Sequence, residues 1–183
     1  MLTATYSLVA IRAEQGQSRS ILVKLQQTVQ GCVQRFHDTG LASVKSAFEK
    51  LGQFDNYLHT RKMALYVIPA VRGVTGEVDS LLQELEIMSA RGLALFNIAQ
   101  EKLQRLMARG ESQLVEVCRS LKAYCDNLWQ RLSKEENELL PLVSRLLTTE
   151  QWFPIAEKFL SDDRQMQHRR PGSDPGPKAI CMS

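Results

Sequence analysis

The chain has 183 residues, 44% of them apolar, 23% charged and 7% aromatic, which suits one domain with its own core and excludes a wholly disordered chain, a collagen-like repeat or a disulfide scaffold. Its net charge of +3 is localised: residues 1–163 hold 19 basic and 19 acidic side chains, whereas 164–183 hold Arg164, Arg169, Arg170 and Lys178 against Asp174 alone. A neutral body with a short basic end argues against nucleic acid as the partner, because a few cations on a flexible segment bind phosphate weakly and lose it in salt.

In chain order, the apolar patch Tyr6 to Ile11 is too short to span a membrane, and it lacks the basic lead and the cleavage site of a signal peptide. Residues 1–11 fit no single period and are compatible with an extended arm. From Ser18 to Phe36, Leu22, Leu25, Val29, Cys32 and Phe36 recur at steps of three and four, one apolar helical stripe. After a break at His37 to Gly40, a second stripe begins with Leu41, Val44, Phe48 and Leu51 and continues through Leu58 and Leu65. A third, between Val78 and Met107, follows the turn Gly73 to Gly76, and a fourth follows the turn Arg109 to Ser112. The fourth is the most regular, running Leu114, Cys118, Leu121, Cys125, Leu128, Leu132, Glu135, Leu139, Leu142 and Leu146. A short fifth helix is expected over Thr148 to Leu160, with Thr149 as cap and Trp152, Ile155, Ala156 and Phe159 on one side. The proline- and glycine-rich run Arg169 to Pro177 cannot continue it.

Amphipathic helices on short turns can bury their stripes only against one another. The expected fold is therefore all-α, an up-down-up-down four-helix bundle over residues 1–163 with a short C-terminal helix, followed by a disordered basic tail over 164–183. Cys32, Cys118, Cys125 and Cys181 show neither a CxxC pair nor zinc spacing, which suits buried thiols in a reducing cytoplasm. A redox switch on Cys118 and Cys125 would require reactive thiolates.

An internal echo points to the chemistry. The second and fourth stretches each carry a polar residue, a partner four later and a proline ten later: His59, Met63 and Pro69, then Arg131, Glu135 and Pro141. Each proline should bend its helix, and at related places. Residues four apart point the same way, so His59 or Arg131 shares a face with the residue one turn on. Glu135 falls on the apolar seam, where a carboxylate costs several kcal/mol unless a cation or hydrogen-bond donors meet it. Three environments satisfy that requirement: a metal; a bond to His59 or Arg131; or a seam that drifts at Pro141 and leaves Glu135 wet.

The run Leu128-Trp129-Gln130-Arg131-Leu132-Ser133-Lys134-Glu135-Glu136-Asn137-Glu138-Leu139-Leu140-Pro141, followed by Leu147 to Trp152, resembles the last helix of hemerythrin-like (HHE cation-binding) proteins, and His59 to Pro69 resembles their second helix. The resemblance implies a four-helix bundle with two irons held mid-bundle by histidines and two carboxylates, serving oxygen carriage, gas sensing or iron-sulfur repair. Position by position, this chain keeps His59 and Glu135 but has Met63 where a carboxylate is implied, Arg131 where a histidine is implied, and Leu85 and Ser89 where the third helix would give a histidine pair. Its three histidines, His37, His59 and His168, cannot supply the family's set. The expectation is a bundle that has lost its di-iron site, has no cofactor and is not an enzyme, with an Arg131–Glu135 ion pair replacing the metal. It would act as a binding or regulatory module for an unidentified protein or small ligand, with a homodimer admitted along a spare apolar edge. The alternative is an iron sensor or repair protein with a reduced site at His59 and Glu135, completed by water, Glu84 or Glu86.

Overall fold

The computed structural model describes residues 2–34, 36–109 and 114–168. These are helical almost throughout, with no strand among them. Helix α1 spans Leu2–Gln34 and α2 spans Phe36–His59, with a break in α2 at Gly40, whose φ of 62° is the left-handed region that glycine tolerates. After a turn at Thr60 and Arg61 come a π-helical segment, Met63–Val67, and the single turn α3, Ile68–Val71. Helix α4 spans Gly76–Arg109 and α5 spans Leu114–Lys134. A second π segment, Glu135–Leu139, leads into α6, Leu140–Leu146, and then α7, Thr149–His168. No helix among the described residues is long and apolar enough to cross a membrane.

The sequence echo is a backbone echo. Pro69 and Pro141 lack the N–H that would bond the carbonyl four residues back, and their rings crowd that carbonyl. The chain widens the preceding turn instead: Ile68 N–H bonds the Met63 carbonyl and Leu140 N–H bonds the Glu135 carbonyl, each five residues back. The expected bends therefore take the form of two π segments, each ending just before its proline.

Other boundaries differ from expectation. The N-terminal residues from Leu2 are not an extended arm but the first three turns of α1, because Ser7, Ile11, Gln15 and Ser18 extend the stripe of Leu22 upstream with polar members. The cap of α7 is Thr148, one residue before the one expected: the Gln151 N–H donates to Thr148 Oγ1 (3.4 Å) and the Thr148 N–H donates to Gln151 Oε1 (2.9 Å), a reciprocal capping box. Helix α7 runs on to His168, so 164–168 are helical rather than part of a disordered tail, while 169–183 and 110–113, where a tail and a turn are expected from the sequence, lie outside the described residues.

Helix α1 packs on α2, α5 and α7, and α4 packs along α5. The last two come close at Gly92, where a Cβ would lie 2.8 Å from Asn127 Oδ1. The interior falls into two apolar clusters. One gathers Leu22 to Cys32 of α1, Val44 to Leu58 of α2, the C-terminal half of α4 and Leu114 to Leu132 of α5. The other gathers Ile11, Met63, Val67, Val71, Leu85, Leu139, Val143, Trp152 and Phe159. Passing from one to the other, α1 contributes buried Gln15 and Ser18, the turn after α2 contributes Arg61, and α5 with its π segment contributes Arg131 and Glu135. A buried polar layer thus divides the core.

Candidate functional site

Glu135 is the hub of that layer. It opens the second π segment and is 1% exposed. Because α5 runs without interruption to Lys134, Arg131 lies one turn below on the same face, as the spacing requires, with Nε 3.2 Å from Glu135 Oε1. The contact is an ion pair without hydrogen-bond alignment at that nitrogen. The stronger partner comes from elsewhere. Arg61, also 1% exposed, donates from Nη2 to Glu135 Oε2 at 2.7 Å, from Nη1 to Gln15 Oε1 at 3.2 Å and from Nε to the Leu58 carbonyl at 3.3 Å. Gln15 Nε2 closes the triangle with a 3.1 Å bond to the same Glu135 oxygen. A fork of donors on a desolvated carboxylate is what a guanidinium supplies best.

A second carboxylate flanks the hub. Glu14 Oε1 accepts the Lys62 N–H at 3.1 Å, so a side chain of α1 caps the start of the first π segment. Burial pushes the Glu14 carboxyl above the ordinary carboxylate range, opposed by the backbone donors of Lys62 and Met63 and by the charges of Arg61 and Lys62. On the outer side of α5, Arg19 lies over the Trp129 ring at 5.0 Å, donates to Ser133 Oγ at 3.2 Å and pairs with Glu136 at 2.7 Å.

The sequence-predicted residues divide between two places. Glu135 and Arg131 meet, in the interior. His59 does not join them: its side chain is 58% exposed and its Nε2 lies 3.6 Å from Asp55 Oδ2, while Asp55 Oδ1 also accepts the Tyr124 hydroxyl at 2.8 Å. The reason is backbone phase. Helix α2 ends at His59 and the chain turns at Thr60 and Arg61 before Met63, so four residues there do not make one helical turn. Met63 and Leu85 lie in the second apolar cluster, and Ser89 is half-buried. Glu84 and Glu86 are exposed and pair with Lys134 and Arg72.

No family model matches the chain, and no curated protein or solved structure matches it either. The site therefore rests on its own chemistry. Among the described residues no three of His, Cys, Asp and Glu converge as metal ligands. The donor set does not fit a cation: one Glu135 oxygen is already shared by Arg61 and Gln15, and two guanidiniums face the place that an ion would occupy. The thiols are equally committed: burial pushes Cys118 up to about 11 and Cys125 up to about 12, which holds both as unreactive thiols at neutral pH.

Spacing alone missed Arg61, Gln15 and Glu14. Gln15 was reachable by extending the Leu22 stripe back through Ser18 to Ile11; Arg61 was not, since it sits where the helical period fails. Beside the layer, between α4 and the α5–π junction, lies an open groove of about 530 Å³ bordered by Ile87, Met88, Trp129, Ser133 and Lys134.

Proposed function

We propose that this chain is a hemerythrin-like, up-down-up-down four-helix bundle in which a fixed ion-pair layer stands where the family resemblance implies a di-iron centre, and that it works as a non-catalytic binding or regulatory module of the cytoplasm. The observation that carries the reading is the saturation of Glu135 by Arg61, Arg131 and Gln15 in the interior. Arg61 and Arg131 supply in permanent form the positive charge that a metal would otherwise bring. A carboxylate so held opens no coordination position, so the layer serves the architecture and leaves recognition to the surface. The groove beside Trp129 mixes the apolar Ile87, Met88 and Trp129 with the charged Glu84, Lys134 and Glu138, a lining suited to a small ligand or a side chain of a partner.

The test is metal analysis of protein produced with added iron and purified without chelator. The reading predicts helical protein with no stoichiometric metal. Stoichiometric iron that disappears in His59→Ala or Glu135→Ala would overturn it in favour of a reduced metal site of the sensor or repair type.

A further inference from the structure

Helix α1 is continuous, but its buried face changes character half-way along. The buried positions follow one another as 7, 11, 15, 18, 22, 25, 29 and 32, at steps of three and four. The last four are Leu22, Leu25, Val29 and Cys32, all apolar. The first four are Ser7, Ile11, Gln15 and Ser18, with a single hydrocarbon side chain among them. Apolar burial is what holds a helix to its bundle, so the two halves of α1 are held unequally.

The polar positions do not make up the difference. Ser7 is fully buried and its hydroxyl has no hydrogen-bond partner, which costs stability rather than adding to it. Ser18 turns its hydroxyl back on the Glu14 carbonyl of its own helix (2.8 Å), a bond that ties α1 to nothing else. Tyr6 reaches Asp163 at the surface, whereas the bonds from Glu14 to the Lys62 N–H and from Gln15 to Arg61 and Glu135 lie at the very end of the polar half. The next residue is Gly16, exposed and in open space, where glycine weakens a helix about fivefold relative to alanine. A glycine followed closely by a serine is a common place for a helix to bend.

We infer that residues 2–15 form a strap that leaves the bundle as a unit, hinging at Gly16, while α1 from Ser20 onward stays in place. So short a segment does not stay helical in water once detached, so the strap unfolds as it leaves. Opening withdraws Gln15 from Arg61 and Glu14 from the Lys62 N–H, and uncovers the part of the second apolar cluster that Ile11 closes. It leaves the bond between Arg61 and Glu135 in place, so the polar layer opens to solvent from the α1 side without being broken. Strap opening requires nothing of the layer's metal content, so it and the reading of that layer as a replaced metal centre fail in separate experiments.

Hydrogen exchange of the full chain under native conditions, followed by mass spectrometry of peptides from α1, tests the strap. The amides of residues 6–15 should share one protection level and exchange at least about tenfold faster than those of 22–30, with a step at Gly16. Ser7→Ala, which removes the unpartnered hydroxyl, should slow the first group by about fivefold or more and leave the second unchanged. Gly16→Ala should slow the first group by about fivefold. Protection that climbs smoothly from residue 6 without a step is end fraying and would overturn the strap, as would equal protection in both halves or a response to Ser7→Ala in neither half or in both. Exchange indifferent to Gly16→Ala would overturn the placement of the hinge.

Discussion

Segments 59–69 and 131–141 share a backbone device and differ in what they bury. Each widens into a π segment before its proline, one opening on Met63 and the other on Glu135. Met63 sits fully buried in an apolar cluster, whereas Glu135, equally buried, is met by two guanidiniums and an amide. The residues four before them diverge too: His59 lies out at the surface and Arg131 inside, because α2 stops at His59 while α5 continues past Arg131. The cation that the first segment does supply is Arg61, from the irregular turn. One repeated bend thus brings together a charge pair split between its two copies, and the geometry of the bend does not fix the chemistry at its opening.

Near-isosteric substitution at the two opening positions should separate them most sharply. Glu135→Gln leaves Arg61 and Arg131 without their counter-charge in the interior and should cost about 3–5 kcal/mol, read as a fall in Tm on the order of 10 °C. Met63→Leu, a volume-conserving swap in an apolar site, should cost less than about 1.5 kcal/mol. Equal losses in the two variants, measured by denaturant titration, would erase the distinction between the segments.

A smaller effect concerns the cap on the first π segment. Because burial raises the Glu14 carboxyl in the folded chain, the folded state binds more protons than the unfolded one between the ordinary value of 4.5 and the raised one. Its contribution to stability is therefore fully present below 4.5 and is lost as pH rises through the folded value. Glu14→Gln, which keeps an acceptor for the Lys62 N–H, should show a shallower loss of stability across that window than the parent chain. Smallest of all, His59→Ala should change stability by less than about 0.5 kcal/mol, since the imidazole is mostly in water; a loss of several kcal/mol would place it in the interior network.

How much of this was legible in the sequence follows from where helical periodicity holds. The stripes of α4 and α5 place their boundaries within a few residues, and the two prolines locate both π segments. The pairing of Arg131 with Glu135 follows from an unbroken turn between them. The N-terminal helix was hidden because its buried face is partly polar, with Ser7, Gln15 and Ser18 at positions that an apolar count skips. The part of His59 and the part of Arg61 were hidden for one reason: between residues 59 and 63 the chain leaves the helix, and no spacing rule carries a side-chain direction across the gap.

The account turns on the buried bond between Arg61 and Glu135. A double-mutant cycle with Arg61→Met, Glu135→Leu and the pair, followed by chemical denaturation, measures it directly. Glu135→Leu strands both Arg61 and Arg131, and Arg61→Met leaves Glu135 with Arg131 and Gln15 alone. The double variant still strands Arg131 but no longer Arg61, so its loss should fall short of the sum of the two single losses, with a coupling of at least about 2 kcal/mol. Additive losses, with coupling near zero, would show that the two residues do not hold each other and would contradict the account.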